Sequence, residues 1–193
     1  IEHPSDPCTH TRVRFWNANG DELRFVDVRS FGEMWWVPPD VELTVGIPGL
    51  SRLGPEPFSE QFSAAYLKQR LKNSSRPIKT ALLDQALVAG VGNIYADESL
   101  FSAGIPPLTP AGRLTLAQLE RLRSSLVDVL TTSIGAGGTT FSDFRDLEGV
   151  NGNYGGQAWV YRRAGEPCRR CGTPIQRDKL SGRSTHWCPT CQN

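Results

Sequence analysis

Four of the five cysteines in these 193 residues stand as Cys168-x2-Cys171 and Cys188-x2-Cys191, with 16 residues between the pairs. Two such pairs at this separation can bring four thiolates to the corners of a tetrahedron around one zinc ion. Disulfide pairing is the other use of such spacing. The N-terminal stretch "IEHPSDPCTH" has neither the basic start nor the apolar core of a secretory segment, which argues for reduced thiols. One structural Zn2+ is therefore expected, held by Cys168, Cys171, Cys188 and Cys191. Cys8 is left over, and nothing around it in sequence marks it as a nucleophile.

A second chemistry-bearing stretch is "ALVAGVGNIYADESLF", residues 86–101. Gly90 and Gly92 permit positive φ and close approach, and the run after them reads as helix. Successive N–H groups beside a helix N-terminus can cradle a phosphate. A tight helix–helix connection would need the same glycines.

Charge admits two readings, a solvated helix face, the commoner use of such clusters, and a polyanion partner. The net charge of +1 hides an asymmetry: residues 1–60 carry 5 Lys/Arg against 10 Asp/Glu, and residues 61–193 carry 16 against 10. Residues 66–80 hold Lys68, Arg70, Lys72, Arg76 and Lys79 with no acid, and residues 161–193 hold seven cations against Glu166 and Asp178. A glycine-turned helix pair after one cationic run, with a basic zinc hairpin bearing Arg183 near its tip, describes two phosphate-binding elements. A nucleic-acid backbone is the simplest ligand spanning both.

The elements that must position these residues follow from periodicity. Val13 and Phe15 alternate with Arg12, Arg14 and Trp16, "NANGD" turns the chain, and Leu23 and Phe25 alternate with Arg24, which predicts a hairpin. "GEMWWVPP" predicts a further strand closed by Pro38 and Pro39. Residues 46–59 are too rich in Gly and Pro for regular structure and read as a linker. A helical region begins at Ser59, with Phe62, Tyr66, Leu67 and Leu71 at helical intervals. Pro77 is placed as the first residue of a helix "PIKTALLDQ". Asn93 is placed as N-cap of "IYADESLFSAG", with Gly104 ending it. Thr115, Leu116, Leu119, Leu122, Leu126, Val129 and Leu130 mark the longest amphipathic helix, which stops at "GAGG". Strand-like pieces flank the CxxC pairs, a zinc-stapled hairpin too small to keep its fold without metal. No stretch approaches the ~18 to 20 apolar residues of a membrane span.

The segments "DVRSFG", "LGPEP", "VGNIYADESLFSAGI", "GGTTFSDF" and "VYRRAGEPCRRCGTPI...RSTHWCPTCQ" occur in this order from about His10 to the C-terminus. Together they resemble the formamidopyrimidine-DNA glycosylase branch of the family shared with endonuclease VIII. The resemblance implies an α+β multidomain fold: the C-terminal strands of a β-sandwich over residues 1–45, the linker at 46–59, a mainly α helix-two-turn-helix domain over 60–150, and a β-hairpin zinc finger over 158–193. It implies base-excision repair of damaged double-stranded DNA by a cytoplasmic, nucleoid-associated monomer. Oxidised purines, 8-oxoguanine and formamidopyrimidines, would be excised by base flipping, and the abasic strand would then be cut. Arg29 would pair the orphan cytosine and Phe31 would wedge the stack. Asn93 and Arg183 would contact phosphates beside the lesion, with Lys79 near the flipped nucleotide. Thr139, Thr140, Phe141, Ser142, Asp143 and Phe144 correspond to the loop whose backbone amides hold the extruded base; Ser142 stands where some family members carry a basic side chain. Tyr95 and Glu98 fit the same motif, with core packing and helix capping as their expected roles.

The family's nucleophile is the secondary amine of an N-terminal proline, assisted by the glutamate after it and a lysine in the sandwich. This chain begins "IEHPSDP" and its only methionine is Met34. Glu2 matches by position alone, so Ile1 reads as a truncation point, with the proline, its glutamate and the lysine in an absent segment of ~80 residues. No catalytic residue is therefore expected in this chain, which should bind DNA without turnover. Two other classes remain open to the charge argument: a non-catalytic zinc-ribbon DNA-binding module and an RNA-modifying enzyme with a zinc hairpin. The binding module does not explain "DVRSFG" or "GGTTFSDF".

Overall fold

The computed structural model describes residues 6–141 and 150–193. The chain divides into two compact units, Ile1–Ser51 and Arg52–Asn193.

In the first unit β1 (Thr11–Trp16) pairs antiparallel with β2 (Glu22–Val26). The turn between them is set by Asn17, whose Oδ1 accepts from the amides of Asn19 and Asp21 at 2.9 Å each, while Gly20 takes φ +86. The register puts Arg14 directly opposite Arg24, a repulsive pairing relieved by Glu22. Glu22 accepts from Arg24 Nη2 at 2.7 Å and from Arg14 Nε, and these bonds hold its carboxyl down at about 2. Beyond β2, Asp27 accepts three backbone amides, from Arg29 (3.1 Å), Ser30 (2.9 Å) and Gly32 (2.6 Å). Those bonds pull its carboxyl below the usual range and shape the "DVRSFG" loop, with Ser30 at φ +56. Gly32 is required there, because a Cβ would stand 2.5 Å from the Phe25 ring. The strand expected in "GEMWWVPP" does not form. These residues pair with no strand among those described, Pro38 and Pro39 offer no amide, and Trp36 is 85% exposed. A short α1 (Leu43–Gly46) follows.

The second unit is mainly helical: α2 (Ala64–Arg70), α3 (Ile78–Leu82), α4 (Asn93–Ala103), α5 (Leu116–Gly135) and α6 (Tyr154–Gln157), then the antiparallel pair β3 (Gln176–Leu180) and β4 (Arg183–Trp187). The helix expected from Ser59 begins at Ala64, where Ser63 caps α2 by accepting from the Tyr66 amide. Pro77 is the N-cap of α3 rather than its first residue, and α3 ends at Leu82 instead of running to Gln85. Thr115 and Gln118 close a capping box on α5. Gly104 ends α4 in the left-handed region at φ +68. Leu67, Leu71, Ile78, Leu82, Val88, Leu100, Leu119, Leu122 and Leu126 form the main core. A second cluster of Phe101, Val160, Cys168, Ile175 and Cys188 joins α4 to the cysteine hairpin. No helix among the described residues is long and apolar enough to cross a membrane.

Candidate nucleic-acid interface and metal centre

The glycine turn before α4 is organised by one side chain. Gly90, at φ +77, donates its amide to Gln85 Oε1 at 2.8 Å, and Gln85 Nε2 donates to the Val91 carbonyl at 3.0 Å. Gly92, not Asn93, is the N-cap, so no side chain covers the first amides of α4. The amides and the positive end of the helix dipole are left for an anion. Asn93 is instead the first helical residue. Its Nδ2 donates to the Ser184 carbonyl at 3.0 Å, and its Oδ1 is buried with no partner among the described residues.

Behind this surface lies a buried charge network that sequence spacing does not disclose. Lys79 is only 1% exposed. Its Nζ donates to the Ser184 carbonyl (2.6 Å) and to Thr185 Oγ1 (2.9 Å), and forms an ion pair with Asp97 Oδ1 at 2.7 Å. Burial pulls the ammonium below the usual lysine range, with Asp97 opposing. Asp97 Oδ2 accepts from the His186 amide at 3.0 Å and lies 3.2 Å from His186 Nδ1. Lys79, expected beside DNA, is thus committed to protein partners, and its task in this structure is to dock β4 on α3 and α4. Much of the cationic run around it is likewise engaged: Lys68 donates to the Leu114 carbonyl at 2.7 Å and Arg76 pairs with Asp84 at 2.8 Å.

Glu98 caps a segment far from its own helix. Its carboxylate accepts the amides of Trp159 (2.8 Å), Val160 (3.0 Å) and Tyr161 (2.8 Å). Burial pushes its carboxyl upward against the pull of those three bonds. Gln192 adds a further tie, donating to the Ile105 carbonyl and accepting from the Cys188 amide, both at 2.9 Å. Arg170 lies over the Phe101 ring, 4.6 Å from its centroid. Sequence reading missed Asp97, His186 and Gln192 because the bonds that tie α4 and its end to the hairpin, Asp97 to His186 and Gln192 to Ile105, span 89 and 87 residues of chain. For Glu98 it expected core packing or helix capping, and the structure has the carboxylate cap the segment 159–161.

The four predicted cysteine sulfurs converge within 4.8 Å of one another, with Cys171–Cys188 at 3.4 Å and Cys168–Cys191 at 3.9 Å. Thiolates about 2.3 Å from a central zinc stand about 3.8 Å apart, so the set fits one tetrahedral ion. Hydrogen bonding by Thr173 lowers the Cys171 thiol to about 6, while burial lifts Cys191 to about 12. Four thiolates so close repel one another, and a dication removes the conflict.

Of the other expected contacts, Arg183 is exposed and has no side-chain partner among the described residues. It follows a tight turn in which Ser181 (φ +48) and Gly182 (φ +80) are both left-handed. Its neighbour Ser184 is the residue held by Asn93 and Lys79, which ties the start of β4 to α3 and α4. Arg29 and the 84% exposed Phe31 lie on the Asp27-shaped loop of the first unit. Thr139 and Thr140 connect to the segment after the loop: Thr139 bridges Asn153, and the Gly152 amide donates to Thr140 Oγ1 at 2.8 Å. Phe141 packs on Tyr161. Ser142, Asp143 and Phe144 lie outside the described residues.

Comparison with known proteins agrees with this geometry. Residues 53–145 match the formamidopyrimidine-DNA glycosylase H2TH domain, and residues 165–193 match the zinc finger found in FPG and IleRS. The chain is 94% identical over 192 residues to a formamidopyrimidine-DNA glycosylase of Parasynechococcus marenigrum (strain WH8102), covering 100% of this chain and 69% of that one. The MutM (Fpg) protein from Thermus thermophilus superposes with a TM-score of 0.88 at 44% identity, over 97% of this chain and 70% of that one. Lactococcus lactis Fpg in complex with an abasic site containing DNA gives 0.86 at 35% identity, over 100% and 69%. The chain spans about two thirds of the length of the relatives it matches.

Proposed function

Because this chain belongs to the formamidopyrimidine-DNA glycosylase family, we propose that its 193 residues are the damaged-DNA-holding part of a base-excision repair enzyme. The whole protein excises oxidised purines, 8-oxoguanine and formamidopyrimidines, from duplex DNA, and then cuts the abasic strand by β,δ-elimination. It works as a cytoplasmic monomer on chromosomal DNA. The observation that carries this reading is the joint anchoring of two phosphate-binding elements. Asn93, at the uncapped start of α4, holds the carbonyl of Ser184, the residue that follows Arg183 at the hairpin tip. One helix N-terminus is a weak anion site, but an exposed guanidinium on the strand tied to it adds a second charge for the phosphates of the same duplex.

On this reading Arg29 and Phe31 fill the gap left by the extruded nucleotide, and residues 139–144 hold the base, since its reactive edge is unreachable in a stacked duplex. The zinc ion supplies structure rather than chemistry, by holding the hairpin that presents Arg183. The family's amine nucleophile, its neighbouring glutamate and the sandwich lysine have no counterpart in these residues. The chain alone therefore binds without turnover.

Borohydride trapping tests the assignment. The intact protein should be captured covalently on an 8-oxoguanine duplex, and these 193 residues alone should not. An adduct on the chain alone would place a nucleophile within it and overturn the division of labour. Equal affinity of the intact protein for abasic and undamaged duplex would favour a non-catalytic binding module instead. Arg183→Ala should weaken duplex binding by about 1 to 2 kcal/mol and flatten the salt dependence by roughly one counterion. An unchanged slope would remove Arg183 from the phosphate contacts.

A further inference from the structure

Arg162 has a backbone conformation that side-chain-bearing residues seldom adopt, at φ +60. Its neighbours leave it no alternative. The Glu98 carboxylate takes the amides of residues 159–161, and Arg163 grips the other side of the turn. Arg163 Nη1 donates to the Trp159 carbonyl at 2.7 Å, Nη2 to the Pro167 carbonyl at 2.9 Å, and Nε to Glu166 Oε2 at 2.8 Å. A strained residue persists where its surroundings over-determine it, and such strain gathers at functional positions.

What the strain secures is a single side-chain direction. The Arg162 guanidinium lies 4.8 Å from the centroid of the Phe141 ring, and its Nη1 donates to the Phe141 carbonyl at 3.1 Å. The same Phe141 ring packs on Tyr161, with centroids 5.3 Å apart, and Tyr161 meets His186 edge-on at 4.9 Å. Two residues earlier, Thr139 Oγ1 shares a hydroxyl cluster with Tyr95 (3.1 Å) and Ser133 (3.4 Å). Residues 139–141 are therefore fastened at one end to α4 and α5, and at the other to the turn leading into the zinc finger. A planar guanidinium can stack on the ring and bond the carbonyl at once, which an ammonium cannot do.

We propose that Arg162 is a positioning residue: it latches Phe141 to the zinc-finger turn and thereby fixes residues 139–141 for holding an extruded base. This rests on the function proposed above. Its effect passes through Phe141 rather than through contact with DNA, which separates it from Arg183.

The test uses the intact protein and two variants. Arg162→Gly removes the latch while suiting the left-handed backbone, so the fold is kept; Arg162→Lys keeps the charge but loses the fork. Hydrogen exchange at the Thr140 and Gly152 amides should quicken about tenfold in Arg162→Gly. Single-turnover excision of 8-oxoguanine should fall about tenfold, with cleavage of a preformed abasic site within about twofold of wild type. Arg162→Lys should restore neither, and the salt dependence of duplex binding should not change in either variant. Unchanged exchange overturns the latch, and so does full rescue by Arg162→Lys. An equal loss in both reactions, or a salt slope reduced by about one, assigns Arg162 to general stability or phosphate contact and also overturns it. If the wild type excises no oxidised base, the functional reading fails, and the exchange measurement alone decides whether the latch exists.

Discussion

Cys171→Ser releases the metal and unfolds the cysteine hairpin. The strands β3 and β4 are only five residues each, and β3 is exposed along most of its length. Their buried partners are few: Phe101, Val160 and Ile175 beside Cys168 and Cys188 themselves. So small an apolar cluster does not offset the ordering entropy of the hairpin. A structural zinc site contributes about 10 to 16 kcal/mol in comparable small domains, and that free energy is then folding free energy. Metal content and far-ultraviolet circular dichroism of Cys171→Ser check this; a variant retaining one equivalent of zinc would contradict a four-thiolate site. Chelation of the wild type should give the same spectrum; on the proposed function duplex affinity should fall with it, since the hairpin that carries Arg183 is lost.

Asp97→Ala has the second largest expected effect, about 3 to 5 kcal/mol of stability. The carboxylate is fully buried, pairs with a lysine that is 1% exposed, and accepts the His186 amide. Removing it leaves an ammonium in the interior with only a carbonyl and a hydroxyl for company. Taking out both charges, as in Lys79→Met with Asp97→Leu, should cost less than Asp97→Ala alone, because no unpaired charge remains. Denaturant unfolding of the three proteins measures the difference. A loss below about 1 kcal/mol for Asp97→Ala would mean that the pair carries little of the docking between α4 and β4.

Local signals in the sequence were sufficient for much of the site. The cysteine spacing located the metal centre, and the apolar period from Leu116 to Leu130 located α5, with Thr115 capping it. Capping chemistry misled by a residue where it depended on tertiary context. Asn93 has the residue type of an N-cap, yet a better use for its amide lies across the fold at Ser184, and Gly92 takes the cap position. The apolar run at Met34 to Val37 has the composition of a strand, but a strand needs a partner and these residues have none among those described. Lys79 stood in a basic run that read as a nucleic-acid surface, whereas burial turned it inward. Sequence carries no spacing rule for a pair such as Lys79 and Asp97, whose contact exists only after two helices have packed.

The three amides gathered by Asp27 bear on what any contact at this loop would cost. A loop that samples many shapes must lose that freedom on contact, and each residue so ordered costs about 1 to 2 kcal/mol. In "DVRSFG" that freedom is surrendered during folding, since Asp27 fixes Arg29, Ser30 and Gly32 and Arg12 Nη2 holds Ser30 Oγ at 2.9 Å. Phe31, 84% exposed, is thus presented from a loop whose shape is set before any partner arrives, so little ordering cost remains to be met on contact.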